Sequence, residues 1–235
     1  MSEICFARHA QASFGEENYD RLSNLGMRQA EILANYLVRM RFGFHAVYSG
    51  SMERQIATAK KVLSVLGNQE EAPDLRILPE LNEYDYRLVI ASYVPDLIRE
   101  DPAVSDAFAR MYTDPRSFQM VFERAVLRWI SGGNDVEGVE TWKAFKARVH
   151  HGVKRIMEEN GKKKRILVFS SGGAISAVMQ MALSLTDEET IQLSWQMPNT
   201  SLSVFKYSGK DFGLLSFNSF AHLQLPRDPT LLTYR

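Results

Sequence analysis

The sequence has a single cysteine, Cys5, among its 235 residues. No internal disulfide can form, and a reducing compartment is expected. Charge of one sign is also missing in excess, since 28 basic residues meet 28 acidic ones. That balance removes the general electrostatic case for nucleic acid or an anionic membrane, while leaving room for local basic pockets. Long apolar runs are absent. The one around Cys5 is cut off by Arg8, too early for a signal segment or a membrane span. A cytoplasmic chain with no membrane and no nucleic-acid partner is therefore expected. There is no internal repeat and no low-complexity segment. The five histidines show no metal-ligand spacing, and adjacent His150 and His151 would diverge by roughly 100° on a helix. No metal and no cofactor is expected.

What is present is the composition of an ordinary globular chain, 45% hydrophobic and 24% charged, long enough to bury a full core in one domain. Residues 4–7 read as a buried strand that ends on Arg8-His9. A polar stretch, 11–21, follows. Ser23 is then a candidate N-cap for a helix whose apolar stripe is Leu25, Ala30, Leu33, Leu37 and Val38. Residues 45–48 make a second strand, after which Ser51 is the candidate cap of a helix reaching about Leu66. Residues 75–78 make a third strand.

From 81 to about 138 the texture changes, with Pro95, Pro102 and Pro115 among short helical patterns. A helical cap insertion at about 84–138, lying over the carboxyl ends of the strands, is expected there. A long amphipathic helix over 140–160, an apolar strand at 165–169 and a helix over 174–185 follow. Strands at 201–207 and 214–217 flank Ser208-Gly209-Lys210 as a hairpin. This alternation predicts an α/β class, a three-layer α/β/α sandwich with a largely parallel central sheet, whose ligand sites lie at the carboxyl ends of strands.

Chemistry-bearing residues fall at those ends. Neutral imidazole, at His9, is a nucleophile toward phosphorus, and Arg8 beside it offers a permanent charge and a planar fork of donors. Arg54 sits in the first turn of a helix, where free amides already favour anions. Glu83 follows the third strand near apolar and aromatic residues, a setting suited to general-acid work on a leaving alkoxide. Glu80 and Asp85 compete with it for that role. The turn Ser170-Ser171-Gly172-Gly173 closes the apolar strand.

In this order the chain resembles the histidine phosphatase superfamily, in its phosphoglycerate mutase-like branch. The resemblance runs from Ile4 to about Tyr207. It rests on Arg8-His9, Leu22-Ser23 with Leu25-Gly26 and Gln29-Ala30, and Tyr48-Ser49 with Arg54 and Thr58-Ala59. It is carried further by Leu81-Asn82-Glu83, Glu140-Thr141 ahead of Phe145 and Arg148, the Gly172-Gly173 turn, and Asn199-Thr200-Ser201. The resemblance implies a phosphoric monoester hydrolase. His9 would form a phosphohistidine, Arg8 and Arg54 would clamp the phosphoryl oxygens, and Glu83 would protonate the leaving oxygen and then activate water. Gln11 and Ser13 would contact phosphate or ester, as would Ser171 and Gly172.

Two positions depart from the family pattern. Ala10 stands where glycine is usual, and Ser171 stands where the family carries a second histidine. A serine there implies a hydrolase of reduced activity, since loss of one transition-state donor costs about 10²–10³ in turnover. The alternatives are a phosphate- or phosphoester-binding pseudoenzyme and, third, a mutase-like phosphotransferase. The implied partner is a phosphorylated small molecule or phosphoprotein, and a homodimer is left open. The basic run 162–165 reads as a solvated turn. His222 lies in a segment with no assigned element, so its relation to the pocket is also left open.

Overall fold

Residues Ser2–Arg8 form β1, buried almost throughout, which is why it carries apolar side chains at consecutive rather than alternate positions. Here and below, the structure is a computed structural model, and it describes every residue except 14, 15, 17, 68–71, 134, 210 and 235. β2 is Ala46–Ser49, β3 Leu75–Ile77, β4 Arg165–Ser170, β5 Leu202–Ser208 and β6 Asp211–Ser219. The sheet order is β3-β2-β4-β1-β5-β6. The first four strands are mutually parallel, while β5 runs antiparallel to β1 and β6 antiparallel to β5. The chain is thus α/β with a mostly parallel six-stranded sheet flanked by helices.

β1 and β4 lie side by side with Arg8 level with Ser170, so the ends carrying Arg8-His9 and Ser171 are neighbours by backbone register alone. One side of the sheet packs on α1 (Asn24–Arg39) and α2 (Glu53–Leu66) through Cys5, Ala7, Leu33, Leu37, Val47, Val62, Leu167 and Phe169. On the other side, Tyr48 hydrogen-bonds Glu159 and Asn160 of α6 (Trp142–Asn160), and α7 (Gly172–Leu183) meets β1 and β6.

Ser23 caps α1 as expected, its hydroxyl accepting from Gly26 N at 3.0 Å. Gly26 also lets the chain at Gln11 come close, because a Cβ there would lie 2.1 Å from the Gln11 carbonyl oxygen. Ser51 does not cap α2; Met52 holds that position. Ser51 is taken by a residue distant in sequence, its amide donating to Asn82 Oδ1 at 2.6 Å and its hydroxyl accepting from Asn82 Nδ2 at 2.8 Å. α7 starts at Gly172, two residues earlier than the periodicity suggests, and β6 is longer than the expected 214–217. The expected hairpin turn falls partly outside the described residues at Lys210.

The chain divides into two compact units, Met1–Glu83 with Arg148–Arg235, and Tyr84–Ala147. The second contains α3 (Tyr86–Glu100), α4 (Pro102–Arg110) and α5 (Pro115–Ile130). Each opens on an aspartate N-cap, Asp85, Asp101 or Asp114, and the latter two precede a proline at the first helical position, where its fixed φ and missing N–H fit. Within this unit Trp142 and Phe145 pack with Trp129, and Phe145 and Trp129 with Tyr84. Among the described residues no helix is long and apolar enough to cross a membrane.

Candidate active site

The site is assembled within the first unit. His9 follows β1, and its main-chain N–H donates to Ser170 O at 2.8 Å, tying it to the end of β4. Its carbonyl accepts from Asn199 Nδ2 at 3.0 Å. Thr200 N donates to Arg8 O at 3.1 Å, from a turn in which Thr200 takes a positive φ of 62°. A β-branched residue in that region is strained, so this turn holds the backbone at His9 at some conformational cost.

His9 is 3% exposed. Its Nδ1 lies 2.8 Å from Ala10 O, and its Nε2 accepts from Arg54 Nε at 3.1 Å. A carbonyl cannot donate, so Nδ1 carries the proton and Nε2 presents the lone pair. Burial, then the Arg54 and Arg8 guanidiniums, hold the imidazole pKa well below its ordinary range, with the Ala10 carbonyl pulling the other way. A neutral imidazole protonated on Nδ1 has its nucleophilic lone pair on Nε2, which here rests on the Arg54 guanidinium.

Arg54, also buried, belongs to the first turn of α2. Besides His9 it donates from Nη1 to Asp20 Oδ1 at 2.5 Å, and its guanidinium carbon lies 5.7 Å from the Tyr19 ring centroid. Arg8 is turned toward main chain: Nη1 donates to the Met197 carbonyl and Nη2 to Tyr234 O at 2.8 Å. Its Nε faces Gly172, 3.8 Å from where a Cβ on that glycine would sit. The two arginines thus bring positive charge to the amino ends of α2 and α7, where the helix dipoles add to it.

Glu83 reaches the amino end of α7, where its Oε2 accepts from Gly173 N at 2.8 Å. The loop that delivers it is gathered by Arg148, whose Nη1 donates to the carbonyls of Pro79, Glu80 and Asn82 at 3.3, 3.0 and 3.1 Å. The competing acids are otherwise engaged, Glu80 with Arg155 at 3.5 Å and Asp85 as the cap of α3. Ser171, 1% exposed, accepts from Gln55 Nε2 at 2.8 Å. Gln55 is fully buried, and a Cβ on Gly50 would lie 2.0 Å from its Oε1, so glycine at 50 makes room for it.

Gln11, Ser13 and Ala10 have partners of their own in the structure. Gln11 Oε1 accepts from the Ser23 hydroxyl at 2.7 Å, which ties it to the start of α1. Ser13 is buried, with its amide on Arg21 O at 2.8 Å. Ala10, fully buried, donates its N–H to Thr58 Oγ1 at 3.0 Å. His222, in the short helix Ala221–Gln224, lies 3.0 Å by Nε2 from Thr200 Oγ1, and its ring is 5.5 Å from that of Tyr36. It braces the Thr200 turn from the α1 side, and no described hydrogen bond joins it to His9, Arg54 or Ser171. Asp20, Gln55 and Asn199 were not picked out by their chemistry in the sequence. Asn199 had a signal only as part of the Asn199-Thr200-Ser201 match, and Gln55 only its place beside Arg54. Among the described residues no group of three or more His, Cys, Asp or Glu is arranged to hold a metal ion.

Burial pushes the His222 pKa down to about 4. Such a group takes up its proton near pH 6.5 only in the unfolded chain. Stability is therefore complete above pH 6.5 and is lost as pH falls toward 4. From pH 7 to pH 5 this histidine alone should remove about 2 kcal/mol, with His9 adding in the same direction. Urea unfolding at both pH values measures it. His222→Gln should shrink the loss by about 2 kcal/mol, and an equal loss in both chains would refute the assignment.

No curated protein matches the chain. Solved structures do match in fold. A mycobacterial glucosyl-3-phosphoglycerate phosphatase, solved with inorganic phosphate, superposes with TM-score 0.64 at 20% identity, over 94% of this chain and 99% of that one. Phosphoglycerate mutase from Bacillus anthracis gives 0.63 at 18% identity, over 97% of each. The alpha-ribazole phosphatase of Shigella flexneri gives 0.61 at 20% identity, over 92% and 96%. At these identities the likeness is one of fold. The sequence carries the relationship further, because residues 4–219 match the family described as "Histidine phosphatase superfamily (branch 1)", a span that holds Arg8, His9, Arg54, Glu83 and Ser171. The chain belongs to the histidine phosphatase superfamily.

Proposed function

We propose that the chain is a phosphoric monoester hydrolase that passes the phosphoryl group through His9. The observation that carries this reading is the state of His9: proton on Nδ1, lone pair on Nε2, 3.1 Å from Arg54 Nε. In the first step the Nε2 lone pair attacks phosphorus, the P–O ester bond breaks, and the leaving oxygen takes a proton from Glu83. In the second, Glu83 takes a proton from water, the resulting oxygen bonds phosphorus, and the P–N bond returns its electrons to His9. Arg54, the amino ends of α2 and α7, and the charge of Arg8 stabilise the transferring group.

Ser171 is read here as standing at the second-histidine position. A neutral hydroxyl replaces a charged donor, which fits slow rather than absent turnover. The substrate is a phosphorylated small molecule or a phosphoprotein. Quenching turnover of an aryl phosphate in alkali should leave phosphate on the peptide that carries His9, stable to base and lost in acid. Phosphate release with no label on that peptide would sink the reading.

A further inference from the structure

Asp20 does something no local feature of the sequence announces. One of its carboxylate oxygens, Oδ1, lies 2.5 Å from Arg54 Nη1, and the other, Oδ2, accepts from the main-chain N–H of Glu53 at 2.7 Å. Glu53 is the first residue of α2. A single carboxylate therefore spans a buried guanidinium and a free amide at a helix start, the pair of donors an oxyanion takes. The segment that brings it there is fastened to the same helical turn. Asn18 Nδ2 donates to Glu53 Oε2 at 3.0 Å, Asp20 N to Asn18 Oδ1 at 3.1 Å, and Arg21 lies 3.8 Å from Glu53. Tyr19 lies against Arg54 from the same segment. In this arrangement Arg54 is held with its Nε on the His9 lone pair.

We propose that Asp20 is a built-in competitor for the substrate's phosphoryl group at Arg54 and the Glu53 amide. The inference rests on the phosphatase reading above. A phosphate dianion beside His9 displaces the carboxylate from Arg54 Nη1 and from the Glu53 amide. Arg54 then turns its donors to phosphate oxygens, and Nε2 is released to attack. Until an anion stronger than a carboxylate arrives, the nucleophile stays covered. The Asp20 side chain is about one-third exposed (32%) while that of Arg54 is 7% exposed, so the carboxylate can leave toward solvent while the arginine stays in place.

The test is calorimetric titration of inorganic phosphate into the wild-type chain, Asp20→Asn and Asp20→Glu, with kcat and KM on an aryl phosphate for each. Asp20→Asn should bind phosphate about tenfold more tightly and lower KM in step, with kcat changed less than about threefold. Asp20→Glu, which keeps the charge, should stay near wild type. Should Asp20→Asn melt early, Asp20→Ser serves in its place. Weaker or unchanged phosphate binding in the neutral variants would overturn the competition and leave Asp20 as a mere support of Arg54. Failure of all the chains to bind phosphate would instead bring down the phosphatase reading, and this proposal with it.

Discussion

His9→Ala should lower turnover of an aryl phosphate by at least about 10⁴-fold, with little loss of phosphate affinity. Removing a covalent nucleophile takes away a whole reaction path, and what remains is the charge stabilisation of the pocket acting on water. The affinity should persist because the donors that hold an anion are elsewhere: Arg54, the charge of Arg8, and the amino ends of α2 and α7. Cutting the side chain at Cβ leaves in place the His9 main-chain bonds to Ser170 and Asn199, so the variant should fold. It should also release Arg54 Nε from its present acceptor. Steady-state kinetics and phosphate titration on the same preparation check both halves. A rate within tenfold of wild type would mean that the imidazole is not the nucleophile.

The second large effect concerns Ser171. Replacing it by histidine looks like a simple restoration on the proposed reading, yet the single substitution Ser171→His should not raise the rate. The serine hydroxyl accepts from Gln55, which is fully buried and fills the space between Ser171, Leu81 and the start of α2. An imidazole at 171 meets that carboxamide and either shifts the loop at Leu81 or turns away from the site. Overpacking of this kind commonly costs about 1–3 kcal/mol. The pair Ser171→His with Gln55→Ala should behave differently, with space for the ring and one more donor for the transferring group. Its kcat should rise by about 10² over wild type. Melting temperatures separate the two contributions, because the single variant should be the less stable. A gain from Ser171→His alone would show that Gln55 yields easily; no gain in the pair would refute the proposed slowing of turnover by Ser171.

Much of the fold could be read from the chain because its main signals are local. The apolar run in β4, the Ser23 cap and the arginine in the first turn of α2 each depend on neighbours a few residues away. What escaped was set by contacts between distant segments. Ser51 is an acceptable helix cap in isolation, but Asn82 takes both its amide and its hydroxyl. The helix at 172 starts on two glycines, which intrinsic propensity disfavours, and the Glu83 carboxylate on Gly173 N accompanies that start. For the site, His9, Arg54 and Glu83 were legible as chemistry at strand and helix ends. Asp20 and Gln55 were not, since an aspartate in a polar loop and a glutamine on a helix carry no sign of the arginine or serine they meet.

The register of β1 against β4 has a consequence for inheritance. Arg8 and Ser170 are level through main-chain pairing, and Asn199 and the Thr200 turn fix the backbone at His9 from the other side. The main-chain separation of His9 and residue 171 is therefore set by the scaffold and hardly at all by which side chains stand there. The side chains at 171 and 55 meet each other, and that at 20 meets Arg54, without forming any of the main-chain bonds that present His9. Chemistry at this site can change while the frame that presents it stays, and where side chains interlock, as Ser171 and Gln55 do, it changes in pairs.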